Sequence, residues 1–225
     1  MIASPPGFYG KVTSHGDFVT RRLPDTLVAA WDEWLQQCML ASRQQLGADW
    51  LAHYLTSPVW RFAIAEGIVG NQAWAGVMMP SVDRVGRHYP LMLAAPAAAG
   101  VPLTHWVSQA RGWYDALDDL ARSSLAPDFA LDAFDRALAS QPIRTGATVS
   151  IAPPAGWRLA MPDRDRVPDA LPAALTAGHT LWWTEGSPSV EPSMLVCRGL
   201  PAPSSFAAML TGGWQAHGWA TPPQA

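Results

Sequence analysis

Lysine is almost missing from this chain: Lys11 is the single one, and every other basic side chain is an arginine. Acids exceed bases, with a formal net charge of −3 and a pI near 6.0. Nucleic-acid binding needs a clustered basic face, so DNA and RNA are excluded as expected partners. The first 20 residues lack a basic head followed by an apolar stretch. Nor does an uninterrupted apolar run of about 18 residues occur, the length that would span a bilayer. A cytoplasmic location without direct membrane insertion is the expectation. Of the two cysteines, Cys38 falls on a helical stripe and Cys197 in a late apolar run. In that compartment they read as reduced, buried residues rather than a disulfide or metal pair.

Catalytic signatures are missing too. The six histidines show no H-x-x-x-H or H-E-x-x-H pairing, and no G-x-S-x-G elbow or G-x-x-x-x-G-K-[ST] loop occurs. No catalytic, metal or cofactor-binding residue is therefore assigned, and no cofactor or enzymatic activity is expected.

What the chain has is apolar mass. Of its 225 residues 49% are hydrophobic, 15% are charged and 12 are tryptophan, which suits one well-buried domain over 1–225. Large aromatics fill cores and also dominate protein interfaces.

Periodicity gives the elements. Phe8 to Val12 reads as a short strand, Thr13 to Asp17 as a turn, and Pro24 as the first residue of a helix. From Asp25 to about Leu46, Leu27, Trp31, Trp34, Leu35, Cys38, Met39 and Leu46 recur at helical spacing, and Gly47 ends the pattern. A short helix over Asp49 to Leu55 precedes three strands, Val59 to Ala65, Trp74 to Pro80 and Tyr89 to Ala95. Their short connections favour an antiparallel meander. Helices follow over Thr104 to Ser123, capped by Thr104, and over Ala130 to Ser140; Asp118 and Asp119 read as a solvated face. The motif-bearing core thus runs to about residue 141. Thr145 to Ile151 is a candidate strand, 152–172 is a Pro-rich loop, and His179 to Thr184 with Ser193 to Arg198 form a late hairpin over 179–198. A helical turn or two over Ser205 to Leu210 and a loosely attached tail from Thr211 complete the chain. The expected fold is α/β, a mixed, largely antiparallel sheet with helices on both faces.

Two charged segments stand out. The first runs from Gly7 through Lys11, Ser14, His15, Asp17, Phe18, Arg21 and Arg22 to Pro24. The second, Pro80 to Leu91, reads as a tight hairpin in which Asp83 closes an Asx-turn and Gly86 takes the left-handed position, with Arg84, Arg87, His88 and Tyr89 around them. If the loops meet, Lys11, Ser14, Asp17, Arg21, Arg22, Asp83, Arg84, Arg87 and Tyr89 make either a docking surface or an internal lock, with Asp17 paired to Arg84 or Arg87. The alternative is a sensor or small hydrolytic enzyme with a pocket lined by His15, Asp17, Arg84, Arg87 and His88, or a nucleotide site on Lys11, Arg84 and Arg87. Ser14, His15 and Asp17 are too close in sequence for a catalytic relay. Asp32 and Glu33 point about 100° apart on a helix, so they read as solvated rather than as a sugar-cleaving pair.

Together these segments resemble the TagF family, associated with bacterial type VI secretion systems. The resemblance lies in Phe8-Tyr9-Gly10-Lys11, Gly16-Asp17-Phe18-Val19, Arg21-Arg22-Leu23-Pro24, the Trp31-Asp32-Glu33-Trp34-Leu35 helix, and Asp83-Arg84-Val85-Gly86-Arg87 followed by Tyr89-Pro90-Leu91. It implies a three-layer α/β sandwich and an accessory protein that regulates the apparatus after translation, generally as a repressor. It also implies action beside the threonine-phosphorylation branch through contact with type VI components, a forkhead-associated scaffold protein among them.

Overall fold

A computed structural model describes residues 4–97, 103, 106–107, 110–143, 156–160 and 178–220, of which 156–160 as backbone. One eight-stranded sheet organises them. Its strands are β1 (Gly7–Gly10), β2 (Val19–Arg21), β3 (Trp60–Ile64), β4 (Ala73–Met79), β5 (Leu91–Ala97), β6 (Gly156–Ala160), β7 (His179–Thr184) and β8 (Ser193–Arg198), in the order β2-β1-β5-β4-β3-β7-β8-β6. The meander β3–β4–β5 and the hairpin β7–β8 form as their short connections predict. The strand pairings are antiparallel throughout, so no parallel component of the expected mixed sheet is found among the described strands.

Alternation along each strand feeds two cores, because successive side chains leave opposite faces of a sheet. On β7, Leu181 and Trp183 go to one face and Trp182 to the other. Helices α1 (Asp25–Leu46) and α2 (Trp50–Thr56) cover the second face, with α5 (Ala207–Thr211) beside them. Helices α3 (Arg111–Ser123) and α4 (Leu131–Ala139) cover the first. The result is the three-layer sandwich that the resemblance implies. Trp31, Trp34, Phe62 and Trp182 pack ring against ring at 5.0–5.9 Å in the second core.

Several expectations change in the structure. The first strand stops at Gly10, and Val19–Arg21 is a strand rather than a loop, because Val19 drops into the core beside Phe8 while Thr20 pairs with Tyr9. Pro24 is the residue before α1, where its carbonyl accepts from the N–H groups of Leu27 and Val28. The Pro-rich stretch is not all loop: Gly156–Ala160 pairs with β8. The strand expected over 145–151 and the Thr104 cap lie outside the described residues. The tail is docked as far as Trp219, whose indole N–H donates to the Ser205 carbonyl at 2.9 Å, with Trp214 also buried. Asp118 is no solvated acid, as shown below.

Candidate functional site

The two charged segments meet at the β1–β5 end of the sheet. The Arg84 N–H donates to the His15 carbonyl at 3.0 Å, the Arg87 guanidinium donates to the Gly16 carbonyl, and the Ser81 hydroxyl donates to the Lys11 carbonyl at 2.8 Å. Backbone crowding sets Gly10: its φ is 143°, and a Cβ there would run into the Pro90 carbonyl. The hairpin turns at Gly86, with φ 85°, as an Asx-turn on Asp83 predicts.

Asp83 is the hub. One oxygen, Oδ2, accepts from Lys11 Nζ at 2.6 Å and Arg87 Nε at 2.7 Å; the other, Oδ1, accepts from the N–H groups of Val85 at 3.0 Å and Arg87 at 2.9 Å. None of its side chain is exposed. Burial alone would raise its pKa, yet Lys11, the two N–H groups and the Arg87 guanidinium hold the carboxyl well below the usual range. Lys11 is itself buried and lies 4.6 Å from the centre of the Phe18 ring.

Beside this lock sits an aromatic group on a second carboxylate. Asp32 Oδ1 accepts from the phenols of Tyr9 and Tyr89, each at 2.7 Å, and Oδ2 accepts from Gln36 at 2.6 Å. Burial, then hydrogen bonding to Asp32 and its charge, push both phenols far above the ordinary tyrosine value, so they stay protonated donors. Phe18 stacks on Tyr9 at 5.5 Å and meets Tyr89 edge-on at 4.8 Å. From the other side, the Tyr54 hydroxyl donates to the Ser81 carbonyl at 2.8 Å and accepts from its N–H at 2.9 Å.

The remaining residues singled out from sequence divide between this surface and the frame around it. Ser14 bonds its neighbour His15 at the exposed loop, while Thr13 anchors that loop to the Ser124 carbonyl at 2.9 Å. Asp17 does pair with Arg87, but at 3.9 Å and fully exposed, whereas Asp83 is buried and pairs at 2.6 and 2.7 Å, so Asp83 is the acid of the lock. Arg84 is exposed and its side chain makes no hydrogen bond or ion pair among the described residues. Arg21 turns back to the Thr20 carbonyl at 2.8 Å. Arg22, with φ 57°, leaves the site: it donates to the Pro6 carbonyl at 2.8 Å and pairs with Asp135 on α4 at 2.6 Å. His88 packs against the rings of Tyr54 and Trp50 at 5.6 and 6.3 Å. Of the side chains named for the alternative pocket, His88 thus turns to Tyr54 and Trp50, while His15, Asp17, Arg84 and Arg87 are exposed. Lys11 is spent on Asp83, which removes it from the nucleotide alternative. Two cavities among the described residues are lined by other side chains, one around Arg61 and Trp183 and one around Trp60 and Met79. No grouping of His, Cys, Asp or Glu among the described residues is arranged to hold a metal ion, and no described helix is long and apolar enough to cross a membrane.

The model of the TagF N-terminal domain, Type VI secretion system-associated, matches residues 7–141. The chain belongs to the TagF family. Both segments of the lock fall inside that TagF match. The chain is also similar to the crystal structure of PA0076 from Pseudomonas aeruginosa PAO1, with a TM-score of 0.78 and 38% identity over 98% of each chain. No curated protein matches it. The likeness to PA0076 runs well past the TagF match, in keeping with a sheet that residues 178–220 help to build.

Sequence reasoning missed a second charged cluster. Arg61 on β3, 7% exposed, donates through Nη2 to Asp115 and Asp118, each at 2.7 Å, and lies 3.6 Å from Glu185. Its Nε also reaches Asp118 at 3.1 Å. Asp118 is thus the inward acid of α3, while Asp119 stays exposed. The signal was present: one arginine in the apolar run Trp60 to Ala65, and two acids one helical turn apart on a later amphipathic helix. Asp32 carried a weaker one, an acid beside Trp31 at the border of the buried helix face.

Proposed function

We propose that this protein is an accessory regulator of a bacterial type VI secretion system that acts after translation, by protein–protein contact in the cytoplasm, as a repressor of apparatus assembly or activity. The observation that carries the reading is membership of a type VI secretion-associated family together with full-length likeness to PA0076. The geometry supports contact rather than chemistry. Lys11 and Asp83 rigidify the loop and hairpin from beneath, and Phe18, Arg84, Val85 and Arg87 are left exposed above them. A surface held in one shape loses little conformational freedom on binding. Trp183 is buried and the Trp113 indole donates to the Gln141 carbonyl at 2.8 Å, so neither serves as a free exposed anchor.

Among type VI components, a forkhead-associated scaffold protein is the expected partner. The test is live imaging of a fluorescent sheath protein in the native host, paired with affinity capture and mass spectrometry. Raised levels of this chain should lower the frequency of sheath assembly, and wild-type bait should recover type VI components. Unchanged assembly at both raised and abolished levels would overturn the reading.

A further inference from the structure

Among the described residues, Arg84 is the one cation of the loop–hairpin surface whose guanidinium makes no hydrogen bond or ion pair. Lys11 and Arg87 share Asp83, and Arg87 also serves the Gly16 carbonyl. The Arg84 backbone, by contrast, is fixed by the His15 carbonyl while its guanidinium stands in water. Phe18 at 45% and Val85 at 65% exposure flank it. Segments 11–18 and 80–91 carry Lys11, Arg84 and Arg87 against Asp17 and Asp83, although the chain as a whole carries −3.

We propose that this face docks an acidic segment of a partner protein, with a carboxylate on the Arg84 guanidinium and an apolar side chain against Phe18 and Val85. The inference rests on the reading that the protein works by protein contact, and it names the chemistry of that contact. A planar guanidinium receives a carboxylate through two parallel N–H bonds. A doubly charged phosphate would call on further cations, and here those are committed to Asp83. Exposed Asp17 sits at the edge of the same patch and weakens the attraction, which tunes it toward segments carrying more than one acid.

The test uses the full chain and fluorescent peptides in which Asp and Glu flank Leu and Phe, beside counterparts carrying Asn and Gln, read by anisotropy. The acidic peptides should bind more tightly, and added salt should weaken them. Arg84→Glu should reduce affinity about tenfold or more, Arg84→Lys should retain part of it, and Asp17→Asn should raise it about twofold to threefold. Equal binding of acidic and amide peptides, or an unchanged affinity in Arg84→Glu, overturns the proposal. So does self-association in sedimentation that Arg84→Glu abolishes, since a second copy would then own the face.

Affinity capture separates this inference from the functional reading. Type VI components recovered equally by wild type and Arg84→Glu would sink the docking face and leave the function standing. Their absence from the wild-type capture would count against the function, while the peptide result still decides the face.

Discussion

Lys11 and Arg61 each expose 7% of their side chains and each is held by carboxylates, yet the two sites are built on opposite balances. Around Lys11 one buried acid, Asp83, serves two cations and two backbone N–H groups. Around Arg61 one buried cation serves Asp115, Asp118 and Glu185. The consequence appears in the acids. Asp83 is held well below its ordinary pKa despite burial, whereas burial pushes Asp118 up against the pull of Arg61, and its Oδ1 has no hydrogen-bond partner among the described residues. A buried carboxylate stays ionised at low pH when the donors outnumber what burial costs it. The difference also separates roles. The Lys11 site knits two loops and leaves arginines outside, while the Arg61 site ties β3, α3 and the end of β7 together across the first core.

The largest test of this contrast is truncation after Gln141. It leaves every contact of Asp83 in place but removes Glu185 and the strand that pairs with β3, and it uncovers Trp31, Trp34 and Trp60. The expected outcome is loss of the cooperative urea transition and aggregation. A folded 1–141 chain would show that the family-matched half stands alone.

Among point substitutions, Asp83→Asn should lower the urea midpoint most, because it leaves Lys11 buried without a counter-charge. The pH sign follows from the depressed pKa. An acid whose folded pKa lies below its unfolded value contributes stability above about pH 4, and that contribution is lost as pH falls toward the folded value. The gap between wild type and Asp83→Asn should therefore close on acidification below about pH 4. A gap that widens there would break the assignment of Asp83 as the ionised hub.

Arg61→Met should cost about 3 kcal/mol in urea unfolding, since Asp118 is left buried without its cation while Asp115 and Glu185 turn to water. A neutral result would place the cluster among ion pairs that an apolar side chain replaces well. The smallest effect is expected from Tyr89→Phe, about 1 kcal/mol for one hydrogen bond to Asp32, because Tyr9 and Gln36 still satisfy that carboxylate. A much larger loss would make the Tyr9–Asp32–Tyr89 group part of the lock rather than its neighbour.

The two sites were unequally legible for a physical reason. Lys11, Asp83, Arg84 and Arg87 lie in compact polar segments whose glycines and charges stand out against apolar surroundings, so their importance was visible before their geometry. Which acid closes the lock was not: Asp17 and Asp83 look alike in a string of letters, and only the path of the hairpin puts one inside and the other in water. Arg61, Asp118 and Glu185 are far apart in sequence and meet through the pairing of β3 with β7 and the packing of α3.

Local periodicity by itself determined α1, the β3–β5 meander and the late hairpin, because the spacing of apolar residues selects a helix or a strand without reference to distant neighbours. It also determined which loops carried the charge. Tertiary structure alone decided that Val19–Arg21 joins the sheet, that Gly156–Ala160 closes its far edge, that Asp32 holds two tyrosines, and that the Arg84 side chain is exposed while its backbone is held by His15. Each of those depends on contacts between segments remote in sequence, where burial and the supply of hydrogen-bond partners are set by the neighbours and not by the residue.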